Sequence, residues 1–289
     1  MKRVRIVVCL AVVCMMASVN FTWADTIRGI DMDFVTIGNA GNAGDTQVMN
    51  DGTTGYGSVS YNYRIGKYEV TATQWQTINT AAGIGDTGCW SGNQPVGAIS
   101  WYDAAQFCNY LTSGNKYSGA YKFDIGGNFL GIDRATSILT YGTTYVIPTE
   151  DEWYKAAYFK PNASGYSLYA NGTDIAPIAG VNSNYDYVNN APWNIITNGT
   201  QEQNGTFDMM GNVLEWNETL IDGSDRGLCG GSYDYGFEDG GDNVASSYRF
   251  SCYPFGGGNN IGFRVASVPE PATVLLMLVG SMALLRRKR

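Results

Sequence analysis

The side chains able to carry chemistry are few, and one type is missing altogether. The 289 residues contain no histidine. Without imidazole there is no Ser-His-Asp triad, no histidine-held metal and no imidazole general base. Thiols come next: Cys9 and Cys14 near the start, then Cys89, Cys108, Cys229 and Cys252. Thiolates suit copper(I), because polarisable sulfur matches a polarisable d¹⁰ ion. Cys229 stands directly before the turn-forming run Gly230, Gly231, Ser232, Tyr233, with Tyr235 two residues further on. The third group is the carboxylate pair Asp208 and Glu215, on either side of Gly211.

Composition limits the partners. The net charge is −8 and the sequence pI about 4.5. An acidic surface repels nucleic acid and anionic lipid, which excludes both as partners. Apolar residues make up 44 % of the chain, enough for a core, and 37 glycines favour turns over long helices.

Both ends read as addresses. Lys2, Arg3 and Arg5 precede an apolar run and small residues up to Ala24. This is the pattern of a secretory signal peptide over residues 1–24, since the apolar run is short for a membrane anchor. At the other end Pro269, Glu270 and Pro271 precede an apolar run over 274–285 and then Arg286, Arg287, Lys288 and Arg289. That run falls below the roughly 20 residues that span a bilayer comfortably. Residues 267–289 resemble the PEP-CTERM sorting signal, with a plain tail anchor as the other reading. The resemblance implies an exosortase partner that cuts near Pro-Glu-Pro after transient anchoring in the inner membrane. The exported product would reside in the periplasm, at the cell surface or outside the cell.

Export sets the expectation for the thiols. Cys9 and Cys14 leave with the signal peptide, and four cysteines enter an oxidising compartment, where disulfides form. Cys229 and Cys252 lie at the two ends of an expected hairpin, nearly symmetric about residues 239–242. That suggests a cross-strand bond, stabilising by roughly 3 kcal/mol through loop closure. Cys89 would then pair with Cys108, and Cys108 with Cys252 is the rival.

Short elements must position these groups. Residues 25–66 alternate briefly and read as two or three strands. Thr71, Ser100 and Thr149 are expected helix N-caps, each followed by an apolar face: Trp75 and Ile78; Ala104, Phe107, Cys108 and Leu111; Trp153, Ala156 and Ala157. The stretch between the second and third helices reads as irregular. Residues 162–205 are rich in Asn, Gly, Ser and Tyr with little periodicity, the mark of a long loop. Three apolar segments around Trp216, Phe250 and Arg264 close the domain.

These blocks resemble the formylglycine-generating enzyme, or sulfatase-modifying factor, family. The matching stretches are YEVTATQW (69–76), PVGAISWYDAAQFCNYL (95–111), IPTEDEWYKAA (147–157), DMMGNVLEW (208–216), GGSY (230–233) and GFRV (262–265). The resemblance implies an α+β fold, an irregular C-type-lectin-like architecture over residues 25–266. In the family's oxidases two cysteines after the Gly-Gly-Ser-Tyr turn bind copper(I) and oxidise a substrate cysteine. The matching positions are Tyr235 and Gly240, neither of which supplies a thiolate, so copper is not expected. The aromatic wall of the family's site is replaced by Leu214. Cys229 and Cys252 as a relocated copper pair is the less favoured reading of those two thiols. The resemblance further implies a calcium ion held by the carboxylates of Asp208 and Glu215 and the carbonyls of Gly211 and Val213, hard oxygen donors that suit it. A second calcium would fall near residues 182–187. Arg264 reads as a buried ion pair ahead of a substrate contact, and Trp75, Trp101, Trp153 and Trp216 as core.

Two functions follow. The first is an exported, surface-sorted module without catalysis that binds a peptide or an exopolysaccharide. The alternative is a formylglycine-generating oxidase. A disulfide between Cys229 and Cys252 would favour the module, and free thiols binding copper(I) the enzyme.

Overall fold

Thr71, Ser100 and Thr149 each start a helix by the same device, a side-chain oxygen that accepts from a backbone N–H three residues on. The computed structural model describes residues 24–195, 197, 199–236 and 242–268. Thr71 and Gln74 form a reciprocal capping box at the start of α1 (Ala72–Ala82). Ser100 caps α2 (Trp101–Ser113), which stops at Gly114 with φ of 80°. Asp133 caps α3 (Arg134–Tyr141). Thr149 and Glu152 form a second capping box on α4 (Glu150–Tyr158), and three acids in its first turn suit the positive end of the helix dipole.

The strands in chain order are β1 (Ala24–Ile27), β2 (Ile30–Ile37), β3 (Tyr63–Gly66), β4 (Tyr121–Phe123), β5 (Phe129–Ile132), β6 (Thr144–Val146), β7 (Leu214–Asp222), β8 (Asp225–Cys229), β9 (Phe250–Cys252), β10 (Ile261–Gly262) and β11 (Ala266–Val268). They form a sheet ordered β1-β2-β3-β11-β6, a second ordered β10-β7-β8-β9, and the hairpin β4-β5. The architecture is α+β with short helices on irregular, curled sheets. β11 lies between β3 and β6, so the packed core runs through Val268, two residues beyond the boundary expected at 266.

Trp75, Trp101, Trp153 and Trp216 are all closed to solvent, as expected of core residues. Trp75 stacks on Phe107 at 5.6 Å, and both rings meet the edge of Phe263. This ties α1 and α2 to the segment between β10 and β11.

Two expectations need correction. The stretch between α2 and α4 is not irregular: it holds the β4-β5 hairpin and α3. Its strands are too short and its apolar residues too scattered for periodicity to reveal them. The disulfides are absent as well. Cys89, Cys108, Cys229 and Cys252 are all free. In the β8-β9 ladder Cys252 pairs with Arg226 and Phe250 with Leu228, so Cys229 and Cys252 sit three residues out of register. Cys108 is buried on α2, whereas Cys89 bridges to Gly97 on a loop. Neither the expected pairing of those two nor the rival Cys108–Cys252 is made.

Candidate functional site

β8 leaves the second sheet into a tight turn over residues 230–236. Gly231 has φ of 72°, and a Cβ there would sit 2.9 Å from the Asn243 carbonyl, so only glycine fits. The turn is held by residues distant in sequence. Tyr233 N–H donates to the Asn212 carbonyl at 2.9 Å, and the Gly211 N–H to the Gly230 carbonyl at 2.6 Å. Asp186 and Tyr187 donate their N–H groups to the carbonyls of Tyr235 and Tyr233 at 2.8 and 3.0 Å. The 182–187 stretch is therefore a seam against the turn.

Asp186, Tyr187, Asp208 and Asn212 all take left-handed backbone with φ of 54–63°. Such residues cost free energy individually and persist only where the surroundings impose them. Asn212 is the hub. Its side chain donates to Glu69 at 2.7 Å and accepts from the backbone N–H of Trp193 at 2.7 Å.

Tyr235 is the position that the sequence matches to a family cysteine. Its half-buried ring packs edge-on against Phe250 at 5.3 Å. Gly240 lies outside the described residues, as do the signal peptide and Pro269, Glu270 and Pro271. Burial pushes the thiols of Cys108 and Cys229 well above their usual range, and those of Cys89 and Cys252 upward. Cys229 is buried and accepts from the Asn217 amide at 3.4 Å. A protonated, enclosed thiol is neither nucleophile nor metal ligand. Leu214 is buried in the core.

Ser232 donates to Asp234 at 2.8 Å, and the Asn260 amide donates to the same carboxylate oxygen at 2.9 Å. Ser232 is closed to solvent, so this is a brace for the turn and not a nucleophile with its base. Beside it, half-exposed Trp90 meets Tyr233 edge-on at 5.9 Å and donates its indole N–H to the Asn259 carbonyl at 2.7 Å. The next residues, 91–94, wall a groove of about 560 Å³ together with Pro192, Trp193 and Asn194. Trp90, Trp193 and Asn260 were missed by sequence reasoning. The only signal was a tryptophan inside a loop of Gly, Ser and Asn.

Beneath the turn lies a buried acid cluster. Glu215 accepts from Arg264 through both oxygens, at 2.6 and 2.5 Å, and from the Trp153 indole at 2.7 Å. Arg264 is thus a structural ion pair, as the sequence suggested. Glu69, Glu202 and Asp208 crowd the same guanidinium, and all are buried. Burial, then the charges of Asp208 and Glu215, push the Glu69 carboxyl well above its usual range. Burial also pushes Glu202 up to about 7, and burial with Glu202 raises Asp208 strongly.

One guanidinium cannot neutralise four carboxylates, so the others need protons or a cation. Asp208 Oδ2 is buried without any hydrogen-bond partner. Glu215 Oε2 already takes two donors, while Oε1 takes one and keeps a lone pair. Gly211 has φ of 98°, and a Cβ there would meet the Asn184 carbonyl at 2.4 Å, so the backbone between the two acids is tightly enclosed. Hard oxygen donors with an unsatisfied charge fit a calcium ion. Among the described residues no group of three or more His, Cys, Asp or Glu side chains converges on a metal position. Backbone carbonyls would have to complete the set.

Known proteins share this fold. The chain matches Treponema denticola variable protein 1 with a TM-score of 0.63 at 22 % identity, over 86 % of this chain and 99 % of that one. It matches the crystal structure of CarF at 0.58 and 24 %, over 83 % and 99 %. The structure of PvdO from Pseudomonas aeruginosa follows at 0.55 and 16 %, over 82 % and 94 %. These establish the fold. A protein named Chaperone protein LppX, from Paenibacillus barcinonensis, is 29 % identical over 174 residues, 53 % of this chain, and the alignment spans 61 % of that relative's length. Residues 267–289 match the PEP-CTERM protein-sorting motif, which implies export and surface sorting by an exosortase-type enzyme. Among the described residues no helix is long and apolar enough to cross a membrane. The model of the sulfatase-modifying factor enzyme 1-like domain matches residues 39–268, and the chain belongs to that family.

Proposed function

We propose that this domain is a non-catalytic binding module whose groove beside the 230–236 turn takes a peptide or exopolysaccharide segment. The observation that carries this reading is Tyr235, a phenol packed on Phe250 where copper chemistry needs a thiolate. Burial raises the pKa of all four thiols among the described residues, most strongly those of Cys108 and Cys229. What remains at the surface suits recognition: the Trp193 indole beside the amides of Asn93, Gln94 and Asn194, with half-exposed Trp90 next to Ser91 at one wall of the groove. Amphipathic rings with amide donors and acceptors bind ligands by stacking and hydrogen bonding together. The name of the Paenibacillus relative supports a protein ligand.

Calcium belongs to the same proposal as a structural ion. Asp208 and Glu215 would hold it through their carboxylates, with the carbonyls of Gly211 and Val213. The ion would supply positive charge to a cluster that Arg264 only partly neutralises.

The test is a peptide and glycan array probed with the exported protein, alongside Trp90→Ala and Trp193→Ala. Binding that falls at least tenfold in both variants supports the module. Multiple-turnover aldehyde formation on a cysteine peptide with copper(I) and oxygen would overturn it.

A further inference from the structure

The two walls of the groove beside the 230–236 turn are pinned from behind. The N–H groups of Ala72 and Thr73, at the start of α1, donate to the carbonyls of Gln94 and Gly92 at 2.8 and 3.0 Å. On the other wall the Asn212 side chain accepts from the Trp193 N–H at 2.7 Å, and the Asn184 amide donates to the Ala191 carbonyl at 3.1 Å. Two further bonds join wall to wall. The Ile195 N–H donates to the Asn93 carbonyl at 3.0 Å, and the Gln94 side-chain amide to the Pro192 carbonyl at 2.9 Å. A groove formed in advance avoids the ordering cost that a mobile one meets on binding.

The same bonds leave no backbone edge for a peptide strand. The carbonyls of Ser91, Gly92, Asn93, Gln94 and Pro192 each already accept a hydrogen bond, and the Trp193 N–H already donates one. A strand added to a protein is held by unpaired groups of this kind. What stays open is side chain. Among the described residues, the amides of Asn93 and Asn194, the Ser91 hydroxyl and the Trp193 indole N–H make no hydrogen bond within the protein. Asn93 and Asn194 are exposed and Trp193 is half-buried. None of the described residues that wall the groove is charged.

We propose that the groove takes a neutral polysaccharide, with one sugar ring on the Trp193 indole and its hydroxyls on the amides of Asn93 and Asn194. This rests on the reading of the groove as a binding surface and selects the ligand within it. A sugar ring has a C–H face that packs on an indole, and hydroxyls that donate and accept as carboxamides do. A peptide helix needs several apolar anchors spaced along one face, and the groove has only Trp193 and Pro192. An acidic polymer finds no cation there and meets a chain of net charge −8. The volume of about 560 Å³ is that of a small-ligand site, so it covers a short run of rings.

The probes are cellohexaose, laminarihexaose and maltohexaose, neutral glucose hexamers of different linkage, with an alginate hexamer as the acidic control. Binding to the exported protein is read by calorimetry. At least one neutral hexamer should bind saturably, with an affinity that added salt leaves unchanged because no charge takes part. Alginate should bind at least tenfold more weakly. Trp193→Ala should weaken binding at least tenfold and Asn194→Ala at least threefold, both with an unchanged melting temperature. Trp193→Phe should keep more affinity than Trp193→Ala, because a ring remains to stack on. Binding by none of the three hexamers, or equal binding by Trp193→Ala and Asn194→Ala, would overturn the proposal, as would alginate binding as tightly as the neutral hexamers. The underlying reading fails separately. A peptide whose binding is lost in Trp193→Ala, with no glycan bound, overturns the polysaccharide and keeps the groove as the site.

Discussion

Arg264 and Glu215 form a two-pronged ion pair in which neither side chain has any solvent exposure. Burial works against the Arg264 charge, but Glu215 beside it holds the guanidinium protonated above its ordinary range. Removing one partner strands the other's charge in the core. Arg264→Leu should therefore destabilise by about 3–5 kcal/mol, more than most single substitutions. Urea unfolding followed by fluorescence of the buried tryptophans measures it. A loss below about 1 kcal/mol, at the level of exposed pairs, would contradict the buried geometry.

Calcium should stabilise the native state by mass action, because the unfolded chain has no assembled site. Chelation is expected to lower the melting temperature and added calcium to restore it. Asp208→Asn removes the carboxylate charge at the unpartnered oxygen and should abolish the response. An identical melt with and without chelator would rule the ion out.

Asp103 gives a pH dependence. Burial, together with the nearby Asp86 carboxylate, pushes its carboxyl up to about 6, against the hydrogen bond from Ser100. The folded state then holds a proton more tightly than the unfolded chain, where aspartate titrates near ~3.9. This contribution to stability is complete below about pH 4 and is lost as pH rises through 6. The melting temperature should fall over that window, and Asp103→Asn should flatten the slope. A wild-type melt that rises across the same interval would show that other groups dominate.

All four thiols should be alkylatable. Mass mapping of the denatured, unreduced mature chain is expected to show Cys89, Cys108, Cys229 and Cys252 each modified. A Cys229–Cys252 peptide pair would require β9 to slip by three residues against β8.

Tyr235→Cys alone should not create an oxidase. The phenol it removes is a packing partner of Phe250, and the position matched to the second thiol is Gly240, which has none. Aldehyde production assayed with copper(I) and oxygen should stay at background. Turnover by this single variant would mean that another thiol reaches the site.

Local chemistry was legible in the sequence. Thr71, Ser100 and Thr149 start helices through hydrogen bonds spanning three residues, so a short window contains the whole interaction. The absence of histidine, the sorting tail and the missing thiolate at 235 likewise need no folding to be read. Tertiary structure decided what depends on distant segments. Glu69, Glu202, Asp208 and Glu215 meet around Arg264 only because separate loops and both large sheets converge there. Whether Cys229 meets Cys252 depends on strand register, which is set by packing on both faces of the β8-β9 ladder and not by symmetry about a turn. The outer edge of β4 is closed by Asn109 of α2, a contact between a helix and a hairpin that no periodicity in either segment announces.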